Sequence, residues 1–175
     1  MTNAAQGIST IVVKFILAML ATAVLIPNLP VNYLHIHDEK TTLYASPVPS
    51  DAPFITEYEH SVQLTPVIDE YRIGQGRIWS WEERVQSHNA GLPFDAPKRG
   101  RFIMAAPWMI VRGGGTGMER IAYRVGTAEL GKNRWRLPPF DELAIYEILP
   151  SQRVFIEASI VRLGEAVSIG FSQSK

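Results

Sequence analysis

FITEYEHSVQLTPVIDEYRIGQGRIWSWEERVQSHNAGLP, residues 54–93, is the stretch that decides the fold. Phe54, Thr56, Tyr58 and His60 alternate with Ile55, Glu57, Glu59 and Ser61, the period of two of a half-buried strand. Val67, Tyr71 and Ile73 then alternate with Ile68, Glu70 and Arg72. A hairpin turning through residues 61–64 places His60 opposite Thr65, Tyr58 opposite Val67 and Phe54 opposite Tyr71. Cross-strand neighbours of this aromatic and β-branched kind contribute roughly 0.2–1 kcal/mol per pair. Gly74 and Gly76 supply the next turn, and residues 77–86 read as a third strand. That strand carries Trp79 and Trp81 on one face, read as sheet core, with Ile78, Ser80, Glu82 and Arg84 on the other.

Downstream, residues 87–100 are rich in Asn, Gly and Pro and read as a surface loop. Further strands are expected at 101–105, 108–112, 118–125, 134–137, 145–149 and 154–163. The glycines at 113, 114, 115 and 117 invite a phosphate-loop reading. They lack the Gly-Lys-Ser/Thr ending and a following helix pattern, so a hairpin connection is the expectation. No long amphipathic helix is expected after Pro30. About eight or nine short strands at this spacing predict a mainly β domain, an antiparallel sandwich or barrel.

Upstream the chain changes character. Residues 8–26, ISTIVVKFILAMLATAVLI, are apolar except for Ser9, Thr10, Lys14 and Thr22. This run is near the length a helix needs to cross the hydrocarbon core, and Lys14 lies toward one end, where its ammonium reaches the interface. The expectation is one uncleaved N-terminal transmembrane helix. A cleaved signal peptide and a buried helix are the alternatives; no A-x-A-like site follows the run. Lys14 puts the N-terminal end in the cytoplasm and the globular part outside. The expected organisation is an anchor at 1–30, a connector at 31–53, a β-domain at 54–163 and a tail at 164–175.

The 175 residues carry 17 Lys and Arg against 17 Asp and Glu. A net charge of zero offers no basic face for a phosphate backbone, so no nucleic acid partner is expected. Cysteine is absent, which excludes disulfides, a thiol nucleophile and cysteine zinc sites. His35, His37, Asp38 and Glu39 form a cluster with metal-ligand chemistry, but no third histidine follows at a diagnostic spacing. A solvated connector is the reading there, with neither metal nor other cofactor expected. His60 and Ser61 are neighbours in a strand and point to opposite faces, so they do not serve each other as base and nucleophile. Glu70, Glu82 and Glu83 show no spacing that pairs two carboxylates for acid–base work. His60 reads as a structural histidine bonded to Thr65 or Glu70, and no enzyme is expected.

His60-Ser61-Val62, Thr65-Pro66-Val67, Glu70-Tyr71, Glu82 and Ala90-Gly91-Leu92-Pro93 resemble an uncharacterised bacterial family, the domain of unknown function numbered 1850. The likeness covers residues 44–162 and is strongest over 58–93. It implies an association: such proteins tend to be encoded beside tripartite ATP-independent periplasmic (TRAP) transporters of the TAXI class. A membrane-anchored accessory subunit is the expected function, single-pass in the bacterial inner membrane with its β-domain facing the periplasm. Its partner would be the transporter's membrane subunit or its TAXI-type solute-binding protein. A periplasmic module binding a small ligand or envelope component is the alternative. The expected docking or binding residues are His60, Thr65, Glu70, Tyr71, Gly91, Leu92, Pro93 and Phe94.

Overall fold

The alternating run at the start of the decisive stretch forms strand β3 (Ala52–Glu59), which turns back into β4 (Pro66–Gly74) and then β5 (Arg77–Val85). The register is the expected one: Phe54 lies opposite Tyr71 and Tyr58 opposite Val67, and the His60 N–H donates to the Thr65 carbonyl at 2.9 Å. The computed structural model describes the backbone of residues 2–87, 98–137 and 140–173, and the side chains of 13–87, 98–137 and 142–169. Gln75 and Gly76 both have positive φ, 56° and 66°, the backbone that a two-residue hairpin turn requires.

Around this meander an antiparallel sheet runs in the order β11 (Phe140–Leu143), β10 (Arg134–Leu137), β3, β4, β5, β7 (Trp108–Gly113), β6 (Gly100–Ala105). The two-residue strand β8 (Gly117–Met118) also pairs with β5. The second sheet has four strands in the order β2 (Thr42–Val48), β1 (Pro30–His37), β12 (Arg153–Arg162), β9 (Arg120–Arg124). Leu34, Ile36, Val154 and Ile156 from the small sheet pack with Phe54, Ile73, Ile78 and Trp135 from the large one. Each such fully buried side chain contributes roughly 1.5–3 kcal/mol. Asn32 ties the layers with polar bonds: its Oδ1 accepts from Gly76 N at 2.9 Å and its Nδ2 donates to Ser50 Oγ at 3.0 Å.

Four sequence expectations change. Residues 31–53 are no solvated connector, because β1 lies between β2 and β12 and supplies Leu34 and Ile36 to the core. The predicted strand at 145–149 is the short helix α2 (Ile145–Ile148), with the neighbouring strand β11 before it. The tail carries an 11-residue helix, α3 (Leu163–Gln173). Finally, a β-bulge between Glu70 and Tyr71 lets Tyr71 face Ser80 while Glu70 faces Glu82, which leaves Trp81 as the extra residue. Trp81 is therefore 45% exposed, and the core side of β5 holds Ile78 and Val85 instead. The glycine run connects β7 to β8 with no helix after it, and a Cβ at Gly115 would lie 2.0 Å from the Ser80 carbonyl oxygen.

At the N-terminus, helix α1 covers Thr2–Leu25 and leads into a 3-10 turn at Ile26–Asn28. Among the described residues no helix is long and apolar enough to cross a membrane, so the spanning anchor expected there is without support. From residue 13, where the side chains are described, to Leu25 the helix extends about 20 Å, against a hydrocarbon core of about 30 Å. That stretch is nevertheless exposed on every side. Val13, Phe15, Ile16, Leu17, Met19 and Leu20 lie open, and none is buried against the sheets. Helix α3 begins at the root of α1, where Leu163 N donates to the Leu29 carbonyl at 2.9 Å.

Candidate functional site

The turn after β3 is built around His60. Its Nδ1 accepts from Val62 N at 3.2 Å and Gln63 N at 3.3 Å, and its carbonyl accepts from Leu64 N at 2.8 Å. The imidazole thus serves as the acceptor that closes the turn, a structural use with different side-chain partners from the Thr65 or Glu70 expected. Thr65 Oγ1 is buried and makes no hydrogen bond. Val62 and Leu64 are 68% and 69% exposed, an apolar tip beside an ordered polar turn. Gly91, Leu92, Pro93 and Phe94 lie outside the described residues.

Glu70 and Tyr71 do not join this turn, because successive residues of β4 face opposite sides. Tyr71 stacks on Phe54 on the core side, ring centroids 5.9 Å apart. Glu70 faces away and is held by Arg72 and by Arg84, whose Nη2 lies 3.3 Å from Glu70 Oε2. Arg84 also bonds Glu82, which Arg112 clamps from β7. The outer face of the sheet thus carries a ladder of alternating sign, Arg72, Glu70, Arg84, Glu82, Arg112. Burial alone would raise the Glu82 carboxyl, but hydrogen bonds from Arg112 and Arg84 outweigh it and hold the group below the usual range. The glutamates were legible in the sequence; the arginines that hold them were not.

One register step away, on the core side, lies a second pair of carboxylates. Asp69 stands opposite Glu83 on one side and opposite Thr56 on the other. Tyr58, Tyr71 and Tyr123 surround it. Burial, then the charge of Glu83, pushes the Asp69 carboxyl from 3.8 up to about 7. Burial also raises Glu83, and burial with the field of Asp69 takes Tyr58 to about 12. No arginine reaches this pair by hydrogen bond or ion pair among the described residues, in contrast to the outer ladder. Two carboxylates that share a site can hold one proton between them near neutral pH.

The remaining constellation is on the outer face of the small sheet. His35 and His37, two apart on β1, point the same way, and their rings stack with centroids 4.5 Å apart. Glu157 of β12 is the register partner of His35. One potential ligand atom from each of the three lies within 4.8 Å of the other two. Asp38, part of the cluster weighed in the sequence, is spent on its turn, accepting from Lys40 N at 2.7 Å and from Thr41 N. Burial first, then the neighbouring His37, lowers His35, with Glu157 acting against them. The sequence carried no signal for Glu157, since 120 residues of chain separate it from the histidines and only strand pairing joins them.

No curated protein and no solved structure matches the chain. Residues 54–138, which run from β3 through β10, match the model of the family described as Domain of unknown function (DUF1850), the family that the motifs at residues 58–93 resemble.

Proposed function

We propose that this chain is a membrane-attached accessory subunit that presents a β-domain to a partner, the partner being a TAXI-type TRAP transporter as the family resemblance implies. The observation that carries the reading is the exposed apolar surface of α1 and the turn after it, from Val13 through Phe15, Leu17, Leu20 and Leu25 to Leu29. Over its described side chains the helix is largely apolar and packs on neither sheet, and such a surface is removed from water by lipid or by other apolar helices. Val167 and Ile169 of α3, on the helix that starts at the root of α1, are also exposed and add to that apolar end. At the His60 turn the exposed Val62 and Leu64 support a docking role for the proposed patch of His60, Thr65, Gly91, Leu92, Pro93 and Phe94.

The chain is expressed in its full length with a C-terminal tag, and membranes are extracted with alkaline carbonate and then solubilised. Retention through the carbonate wash and recovery of transporter subunits with the solubilised protein are the expected results. Release into the wash would overturn membrane attachment. Retention with no transporter subunit recovered would overturn the partner while leaving attachment intact. Leu92→Glu should keep the thermal transition and lose the partner; loss of the fold would instead make that loop part of the core. The second reading, a small-ligand module, is favoured by a cleft of about 430 Å³ lined by Asp51, Arg72, Trp79 and Trp81.

A further inference from the structure

We infer that His35, His37 and Glu157 form a binding site for a divalent transition-metal ion of the zinc type. The hydrogen bonds decide where the histidine protons sit. The Asp38 carbonyl is purely an acceptor and lies 2.8 Å from His37 Nδ1, so Nδ1 carries the proton and donates it. With Nδ1 turned to that carbonyl, the ring directs Nε2 at Glu157 Oε1, 3.6 Å away. A metal ion set between these two atoms would take both as ligands. Tetrahedral zinc with bonds of about 2.0–2.1 Å sets its ligand atoms about 3.3 Å apart, close to this separation.

The third donor, from His35, lies within 4.8 Å of the other two. His35 bonds Thr42 Oγ1 through Nε2 at 3.1 Å, a contact of the kind that fixes a ligating imidazole's orientation through its other nitrogen. Glu157 is oriented by Arg120, whose Nε lies 3.2 Å from Oε1 and whose guanidinium stacks on Phe155, 3.7 Å from the ring centroid. Arg120 opposes an incoming cation, but its side chain is half exposed and its charge is screened by solvent. Imidazole nitrogens with one carboxylate suit zinc and its first-row neighbours rather than magnesium or calcium, which take oxygen donors.

A second observation points to the same place. A cleft of about 770 Å³ is lined by His35, Glu157, Arg120 and Tyr33. The Tyr33 hydroxyl is buried there and has no hydrogen-bond partner, and Tyr33 itself is only 5% exposed. Three protein ligands beside an open cleft leave a position for water or an anion, the arrangement of a metal site that exchanges ligands. The ligands come from β1 and β12, and Thr42 of β2 and Arg120 of β9 orient them.

The full chain is purified in detergent without a polyhistidine tag, stripped with a chelator and titrated with Zn²⁺ by calorimetry. Co²⁺ is titrated in parallel and read by its visible absorption. One equivalent of Zn²⁺ should bind, and Co²⁺ should give the strong visible bands of a low-coordinate nitrogen and oxygen site. His37→Ala and the isosteric Glu157→Gln should each weaken binding by at least about tenfold, with Mg²⁺ failing to compete. Metal-free thermal melts check both variants, and Glu157→Gln decides if His37→Ala melts early. Absence of saturable Zn²⁺ binding would overturn the site. Unchanged binding in the folded variants, or equal competition by Mg²⁺, would overturn it as well.

Discussion

Two acidic pairs stand side by side across β4 and β5, one register step apart and on opposite faces of the sheet. Glu70 faces Glu82 on the outside; Asp69 faces Glu83 on the inside. Like charges directly opposite one another destabilise a sheet unless something changes, and each face changes something different. Outside, three arginines interleave with the glutamates and pair with both in a ladder. Inside, tyrosines and Thr56 supply no cation, so the proton is retained instead and Asp69 shifts upward. The same residue types in the same strands are thus compensated differently, and the neighbours decide how.

Breaking the outer face should give the largest effect. Arg84 bridges both glutamates, so Arg84→Met should cost about 2–3 kcal/mol in urea unfolding. That is less than the 3–5 kcal/mol of a wholly orphaned buried charge, since Arg72 and Arg112 remain. A cost below about 0.5 kcal/mol would show the ladder to be solvated decoration.

The inner face is sharpened by pH. Folded Asp69 keeps its proton up to about pH 7, whereas the unfolded chain releases it near 3.8. Between those values the folded state binds more protons, so this group's contribution to stability falls as pH rises and is flat above the window. Asp69→Asn cannot ionise and should gain on the wild type through that window, on the order of 2 kcal/mol by pH 8 and near zero at pH 4. Glu82 has the opposite sign: its lowered carboxyl stabilises at neutral pH, and that contribution is lost as pH falls into the acid range. A variant whose gain is the same at pH 4 and pH 8 would remove the inner-face account.

The smallest effect should come from Glu57, on the outer face of β3, whose Oε2 accepts from Arg136 Nη2 at 2.9 Å. Glu57→Ala should cost under about 1 kcal/mol, because the pair is partly open to solvent and stands outside the Glu70–Glu82 ladder. A cost equal to that of Arg84→Met would mean that this side of the sheet is covered as well.

The hairpin was legible in residues 54–73 because a period of two, a turn and matched aromatic pairs all select one register; a slip of one would turn Phe54, Thr56 and Tyr58 outward. The trade at the Glu70 bulge was not legible. One extra residue inverts the faces beyond it, and nothing local distinguishes Trp81 as core from Trp81 as the bulged residue. The predicted docking set divides for the same reason. His60 and Thr65 share a turn, whereas alternation sends Glu70 and Tyr71 to opposite faces.

By itself the sequence determined a mainly β chain, the β3–β4–β5 meander with its first register, and an apolar N-terminal helix. These follow from neighbours in the chain, where periodicity and turn chemistry act over a few residues. Tertiary structure alone decided that residues 30–48 are core strands and that three arginines reach two glutamates. It alone brought Glu157 opposite His35 and set Asp69 among tyrosines. Those outcomes depend on which strands pair across long stretches of chain and which faces the sheets close upon. A charge, a proton or a ligand set is fixed by what surrounds it in space, and the order of residues states that only through the fold.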